Sequence, residues 1–364
     1  MTITQLQVLK DKITETRIVE TALPSEADLK DGEILFSLDR FSLTANNVTY
    51  AAIGDRFSYW QYFPAEDGWG NVPVWGFANV IASKCPDVKV GERFYGYYPM
   101  TTHLVVKPGK ITPNQFIDVM DHRLKLHTVY NQYIRTSNDA GYREDQEDLQ
   151  ALLRPLFMTS FLLDDFIADN GFFGGEQVVI SSASSKTAFG MAFLLKKNHG
   201  AKCKVVGLTS PGNIEFVKAL GCYDQVVSYD DVATLDASRK SFYVDFSGNS
   251  GQRKSVHNHF GEQLTYDCIV GSSHWNQSGW LEDLEGPTPT IFFAPDQASK
   301  RLQEWGGAEF QARYAKAWSA FLDVAKTGLT INNLCGVETL RDSWLQIVEG
   351  SARPDQGMVF TLHK

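Results

Sequence analysis

The stretch QVVISSASSKTAFGMAFLLKK, residues 177–197, decides how this chain is read. Val178-Val179-Ile180 is the short apolar run of a strand buried on both faces, and AFGMAFLLKK is an apolar helix running into lysines. A strand, turn and helix of this kind open a dinucleotide-binding unit. The turn normally carries glycines there, because the backbone must approach a pyrophosphate closely. Here it carries Ser181, Ser182, Ala183, Ser184, Ser185, Lys186, Thr187 and Ala188.

The flanks support the same fold class. CKVVGLTS (203–210), QVVSY (225–229), SFYVDFSG (241–248) and LTYDCIVGSS (264–273) read as strands, with NIEFVKALG (213–221) as a helix ended by Gly221. Strands alternating with helices imply a parallel sheet covered on both faces. LLRPLFMTSFLLDDFIADNGFF (152–173) has helical periodicity ahead of it, with glycine stops. Residues 1 to about 110 differ: GEILFSLDRFSL (32–43), VPVWGFANVIAS (72–83) and VKVGERFYGYYP (88–99) are short strands of a compact β-barrel-like unit. Residues 112–150 turn polar and are read as an inserted or bridging segment, partly helical and in part mobile. The tail holds a helix near Phe310–Lys326 and a closing strand, GMVFTLHK.

At 364 residues, 43% apolar and 21% charged, the chain is long enough for two cores and has a globular composition. A net charge of −9 argues against nucleic acid or an anionic membrane as partner. No apolar stretch is long enough to span a bilayer, and MTITQLQVLKDKITETR does not read as a signal peptide. Five scattered cysteines, Cys85, Cys203, Cys222, Cys268 and Cys335, suit a reducing cytoplasm and offer no zinc-ligand spacing.

The order of elements resembles the medium-chain dehydrogenase/reductase superfamily, on its zinc-free quinone-oxidoreductase and enoyl-reductase side. GEILFSLDRFSLTANNV resembles that family's "GEVLVRV…GLNPVD" strand and turn, and VKVGERFYGYYPMTTHLVV its "KVGDRV…YAEY". The run from Val178 to Asp231 follows the cofactor domain, and FYVDFSG and YDCIVGSS match the next two strands. The likeness covers most of the chain. Two landmarks are altered: Trp75-Gly76-Phe77 stands where the zinc-binding signature would be, and the nucleotide glycines are missing. The resemblance implies an α/β chain with a GroES-like β-barrel domain (1–155, with 112–150 inserted), a doubly wound Rossmann domain (156–294) and a segment (295–364) returning to the first. The altered landmarks imply a divergent branch of the superfamily, and the resemblance carries dimerisation through the nucleotide domain as one expectation.

Three readings compete for the turn. In the first, Ser184, Ser185 and Thr187 stand in for glycine, their hydroxyls and the helix N-terminus meeting phosphate beside Lys186. A P-loop fails, because Ile180 and Ser185 occupy both obligatory glycine positions. The third is a serine-capped helix whose cofactor has been lost. The second strand ends Leu208-Thr209-Ser210-Pro211-Gly212-Asn213, with no acid to accept from a ribose 2′-hydroxyl, so Thr209, Ser210 and Asn213 favour NADP(H) over NAD(H). The resemblance puts Tyr229 near the adenosine. Ser247, Gly271 and Ser272 lie at later strand ends, where an open parallel sheet faces its ligand.

By the same resemblance, Asn46, Asn47 and Tyr50 are the candidate catalytic residues, in a turn of the first domain ahead of the aromatic run Tyr59, Trp60, Tyr62, Phe63. His257 and His259 in VHNHF read as a surface pair on a strand or turn, and His274 as a capped loop residue. No metal is expected. The expected function is zinc-independent, NADPH-dependent reduction of an apolar, carbonyl-conjugated or quinone-like small molecule in the interdomain cleft of a cytoplasmic protein. The alternative is a non-redox protein on the same scaffold, either a nucleotide sensor or an acyl or lyase-type enzyme.

Overall fold

In the computed structural model, which describes residues 2–271 and 284–363, the chain opens with an antiparallel hairpin of β1 (Thr2–Leu9) and β2 (Lys12–Ala22). There follow β3 (Ile34–Leu43), α1 (Ala45–Ala52), β4 (Trp69–Gly70), β5 (Pro73–Ser83), β6 (Arg93–Pro99), β7 (His103–Val106), β8 (Pro108–Gly109), β9 (Gln115–Asp118) and β10 (Gln132–Arg135). Next come α2 (Glu147–Asp169), β11 (Gln177–Ile180), α3 (Lys186–His199), β12 (Lys204–Thr209), α4 (Ile214–Ala219), β13 (Gln225–Ser228) and β14 (Ser241–Asp245). The chain ends with α5 (Ser250–Phe260), β15 (Leu264–Ile269), β16 (Thr290–Ile291), α6 (Ala294–Trp305), α7 (Gly307–Gly328), β17 (Thr330–Cys335), α8 (Val337–Val348) and β18 (Gln356–Thr361). Two units result: Met1–Leu152 with Thr330–Lys364, and Leu153–Leu329.

The first unit is built on a nine-stranded sheet in the order β17-β18-β3-β5-β6-β10-β9-β8, with β7 also on β3, and a smaller sheet β2-β1-β4. All pairs in the large sheet are antiparallel except β17 with β18. Bulges between Leu35 and Phe36 and between Leu38 and Arg40 bend β3, which gives the sheet its curl. At Gly76 a Cβ would lie 2.1 Å from the Arg40 carbonyl oxygen, so only glycine lets β5 close on β3 here. Phe36, Phe94, Tyr98, Phe116 and Tyr133 are fully buried in one aromatic core, mostly edge to face, with Phe94 and Phe116 centroids 5.0 Å apart. Each such side chain contributes about 1.5–3 kcal/mol of burial.

Two of those rings correct the reading of residues 112–150. Phe116 lies on β9 and Tyr133 on β10, so two short strands of this segment belong to the sheet and the core. Gln115–Asp118 (QFID) and Gln132–Arg135 (QYIR) each bury alternate residues, a period of two that four residues cannot announce among charged neighbours. Arg123, 1% exposed, is held there by Asp118 at 3.1 Å.

The second unit is a six-stranded, all-parallel sheet in the order β13-β12-β11-β14-β15-β16. This is the doubly wound order, and the direction of winding reverses between β11 and β14. Both strands are buried along their whole length, as apolar runs covered on two faces should be. At Gly190 a Cβ would sit 2.6 Å from Ser160 Oγ, so the glycine lets α3 approach α2. The unit runs to Leu329; α6 and α7, placed by sequence in the segment returning to the first domain, stay with the parallel sheet.

Candidate functional site

In a doubly wound sheet the ligand crevice opens where the winding reverses, beyond the C-terminal ends of β11 and β14. The loops leaving those two strands are tied together. Ser181, fully buried, donates its hydroxyl to Asp245 Oδ1 at 2.7 Å and accepts the amides of Phe246 (2.9 Å) and Ser247 (3.0 Å). Asp245 Oδ1 also accepts from the Ser247 amide and hydroxyl and the Gly248 amide, at 2.8–3.1 Å. Its Oδ2 takes Arg253 Nη2 at 2.6 Å.

Arg253 belongs to a buried chain of charges. Its Nε lies 3.6 Å from Asp267 Oδ2, which meets His257 Nε2 at 2.8 Å. His257 Nδ1 donates to the Glu285 carbonyl at 2.6 Å, so one further proton lies between the ring and Asp267. Burial pushes the Asp267 carboxyl up, against the pull of His257 and Arg253. His257 is therefore no surface residue: VHNHF lies on α5, where every fourth residue faces the sheet. His259 instead meets the Leu235 carbonyl at 3.0 Å.

The glycine-free turn is held from the side of β12 and β13. Ser182 takes a left-handed conformation at φ 45°, the kind of position for which glycine is usually reserved. Its amide donates to the Tyr229 hydroxyl at 2.8 Å, and the Tyr223 hydroxyl donates to the Ala183 carbonyl at 2.9 Å. The Ala183 amide reaches Leu208 O, and the Ser185 amide Ser182 O. Ser185 is the N-cap of α3, its hydroxyl accepting the Ala188 amide at 3.3 Å. Lys186 and Thr187 form the first turn of that helix, where the N-terminal dipole is positive. Asn213 Nδ2 bridges the strand ends, donating to Ser210 Oγ (3.0 Å) and Ser184 Oγ (3.3 Å).

The remaining expected residues divide. Thr209 is 1% exposed at the end of β12, and Ser247 is committed to Asp245 and to the Asn249 amide. The Gly271 amide reaches the Asp245 carbonyl. Ser272 and His274 lie outside the described residues.

In the first unit, Asn46, Asn47 and Tyr50 lie on α1 rather than in a turn. Asn47 is spent on structure: its Oδ1 accepts the Thr44 amide at 2.7 Å, and its Nδ2 donates to Pro73 O at 2.8 Å. The Tyr50 hydroxyl accepts Trp75 Nε1 at 3.3 Å and lies beside the Asn46 side chain. Around it packs a cluster that sequence showed only in part: Tyr59, Tyr62, Phe63 and Tyr97 are buried, with Trp75 and Tyr130 half-buried against them. Burial, the largest cause, raises the Tyr50, Tyr59, Tyr62, Tyr97 and Tyr130 hydroxyls above the usual tyrosine range, so all five remain protonated donors. Tyr97 and Tyr130 stand far from the run at 59–63 in sequence, and only the pairing of strands brings them there.

Among the described residues no three His, Cys, Asp or Glu side chains form a metal-ligand set, and no helix is long and apolar enough to cross a membrane. Trp75-Gly76-Phe77 lies inside β5. Four of the five cysteines are buried, and burial pushes Cys203 and Cys222 up to about 12.

A family model described as "Protein of unknown function (DUF2855)" matches residues 41–353. No curated protein matches the sequence significantly. Solved structures match the fold over nearly the whole chain. CurA from Vibrio vulnificus, in complex with NADPH, is similar at a TM-score of 0.65 and 12% identity, covering 99% of each chain. The yhdH oxidoreductase from Salmonella enterica, in complex with NADP, is similar at 0.54 and 12%, covering 100% of this chain and 99% of its own. The quinone oxidoreductase from Coxiella burnetii is similar at 0.50 and 11%, covering 100% of each. The fold is that of the medium-chain dehydrogenase/reductases, with one GroES-like unit and one Rossmann unit in the chain.

Proposed function

Because the chain belongs to the DUF2855 family and carries this fold, we propose that it is a zinc-independent, NADPH-dependent reductase of an apolar, carbonyl-conjugated or quinone-like small molecule. The observation that carries the reading is the bridged pair of strand ends: Ser210, Asn213 and Ser184 form one neutral hydroxyl and amide cluster where an NAD site would place an acid. A 2′-phosphate meets donors there and no repulsion.

The residues present fit the nucleotide. The amides of Ser182, Ala183 and Ser185 are engaged within the fold, so the groups that would meet phosphate are the Ser184 and Thr187 hydroxyls, the Lys186 ammonium and the α3 N-terminus. When bound, the nucleotide would supply a hydride. Ser181 and Asp245 hold the two loops at the reversal point in fixed register, and Tyr229 sets the turn through the Ser182 amide. In the first unit Tyr50 is the candidate proton source, with Asn46 and Trp75 orienting its hydroxyl.

Titration of the protein with NADPH, NADH and ATP, read by calorimetry, tests this. NADPH is expected to bind more tightly than NADH. Lys186→Ala is expected to weaken NADPH roughly five- to a hundredfold. Equal affinities for the two dinucleotides refute the 2′-phosphate assignment. The inward-bonded amides of the turn favour a second reading, a non-redox protein that has dropped the nucleotide. No heat and no thermal shift at millimolar NADPH would establish that one.

A further inference from the structure

The tyrosine cluster of the first unit is poorly satisfied for so buried a group of hydroxyls. Trp75 Nε1 reaches Tyr50 at 3.3 Å, Tyr59 and Tyr130 hydroxyls are 3.4 Å apart, and Tyr62 reaches His127 O at 3.3 Å. Hydroxyl hydrogen bonds normally fall near 2.7–2.8 Å. The Tyr97 hydroxyl, fully buried on β6, has no partner at all among the described residues. Its ring is enclosed by Trp75 and Tyr130 (centroids 4.9 Å), Tyr62 (5.5 Å) and Tyr50 (5.6 Å). An orphaned buried hydroxyl is destabilising, and phenylalanine of the same shape would avoid the loss.

What the cluster lacks specifies what it would take. The Tyr97 O–H has no acceptor within reach among the described residues, and a ligand that takes up this proton is itself an acceptor. Arg123 is a cation over Tyr62, at 5.8 Å from the ring, and it is already paired with Asp118, so this charge does not invite an anion. A quaternary ammonium would use the ring faces and leave the hydroxyl unmet. A neutral, flat molecule with a conjugated carbonyl oxygen satisfies both rings and donor. Trp75 and Tyr130, the half-buried rings, form the side from which it would enter.

We propose that this cluster is the recognition site for the oxygen of a neutral conjugated carbonyl compound, with the Tyr97 hydroxyl as the donor that reads it. The proposal deepens the reductase reading by naming how the acceptor is selected, and its test uses no nucleotide, so either reading can fail alone.

The probe is 2,3-dimethyl-1,4-naphthoquinone, whose blocked ring carbons do not add thiols, compared with 2,3-dimethylnaphthalene, which has the same rings without oxygen. Binding is read by quenching of intrinsic fluorescence, and the quinone carbonyl stretch by infrared difference spectroscopy. The nucleotide-free protein is expected to bind the quinone at least tenfold more tightly than the hydrocarbon, with the carbonyl band shifted down. Tyr97→Phe is expected to weaken the quinone about tenfold, remove the band shift, leave the hydrocarbon unchanged and not lower the melting temperature. Tyr98→Phe, whose hydroxyl donates to Phe94 O at 3.1 Å, is the control: it is expected to melt earlier with quinone affinity unchanged. Equal affinity for the two probes, or a Tyr97→Phe protein that keeps the affinity and the band shift, overturns the proposal.

Discussion

Replacing Ser181 with alanine tests the tie at the reversal point of the parallel sheet most directly. The substitution removes one charge-assisted hydrogen bond, from the hydroxyl to Asp245 at 2.7 Å, and the acceptor shared by the amides of Phe246 and Ser247. The Ser247 amide keeps Asp245 Oδ1 at 2.9 Å, so its loss is partial. A hydrogen bond to a charged group contributes about 1.5–3 kcal/mol, and weakening a buried amide adds about 1 kcal/mol. The expected cost is about 2–4 kcal/mol. For a domain of this size that lowers the melting temperature by roughly 5–15 °C. Hydrogen exchange should locate the damage, with faster exchange at Phe246–Gly248 and in the turn before α3. Ser184→Ala is the matched control, since its hydroxyl accepts only a 3.3 Å bond from Asn213, and it should change stability by under about 0.5 kcal/mol. A Ser181→Ala protein melting within a degree of the parent, with unaltered exchange, would refute the tie.

Four further outcomes are expected. Ser210→Asp should shift nucleotide preference toward NADH by at least tenfold in the affinity ratio, through repulsion of the 2′-phosphate, measured by paired titrations. Gly190→Ala should destabilise by about 1–2 kcal/mol in urea unfolding, because its new Cβ would meet Ser160 Oγ at 2.6 Å and outweigh the gain in helix propensity. Burial, helped by the facing His363, lowers His103 to about 4. Its neutral form therefore contributes stability that is whole above the unfolded value near 6.5 and is lost as pH falls from there toward 4. His103→Gln should flatten the stability profile in that window, and His363→Ala should raise the His103 titration midpoint seen by NMR. Elemental analysis of the purified protein should find no stoichiometric zinc, in keeping with Trp75-Gly76-Phe77 inside β5.

Periodicity and spacing exposed the parallel sheet because its strands are buried runs flanked by glycine, and such runs have few other uses. Gln177–Ile180 is read to within one residue, and Ser241–Asp245 starts where the run read at 241–248 starts. The capping role of serine in the turn was also legible, although the cap falls on Ser185. Asp245 was hidden, since one acid at a strand end looks like any other until Ser181 and Arg253 converge on it. His257 was misread because VHNHF suits a strand as well as a helix, and only helical spacing turns it toward Asp267. Tyr97 and Tyr130 were invisible for a different reason: nothing local links them to Tyr50, and the contact depends on how β6 and the residues before β10 are laid over α1.

The sheet pairing of β18 with β3 has a consequence for how the protein is made. Its register joins Leu43 to Met358, across the entire parallel-sheet unit. During synthesis Leu153–Leu329 emerges as one uninterrupted stretch and can close its core as soon as it is clear of the ribosome. The strands before it must wait, with the Phe41–Leu43 end of β3 unpaired on that edge, until Gln356–Thr361 arrives. An open edge bordered by Phe41 and Leu43 is a template for pairing with other chains. The later-finished unit is thus the one in which slow translation or a truncated product would lead to aggregation, although its residues are synthesised first.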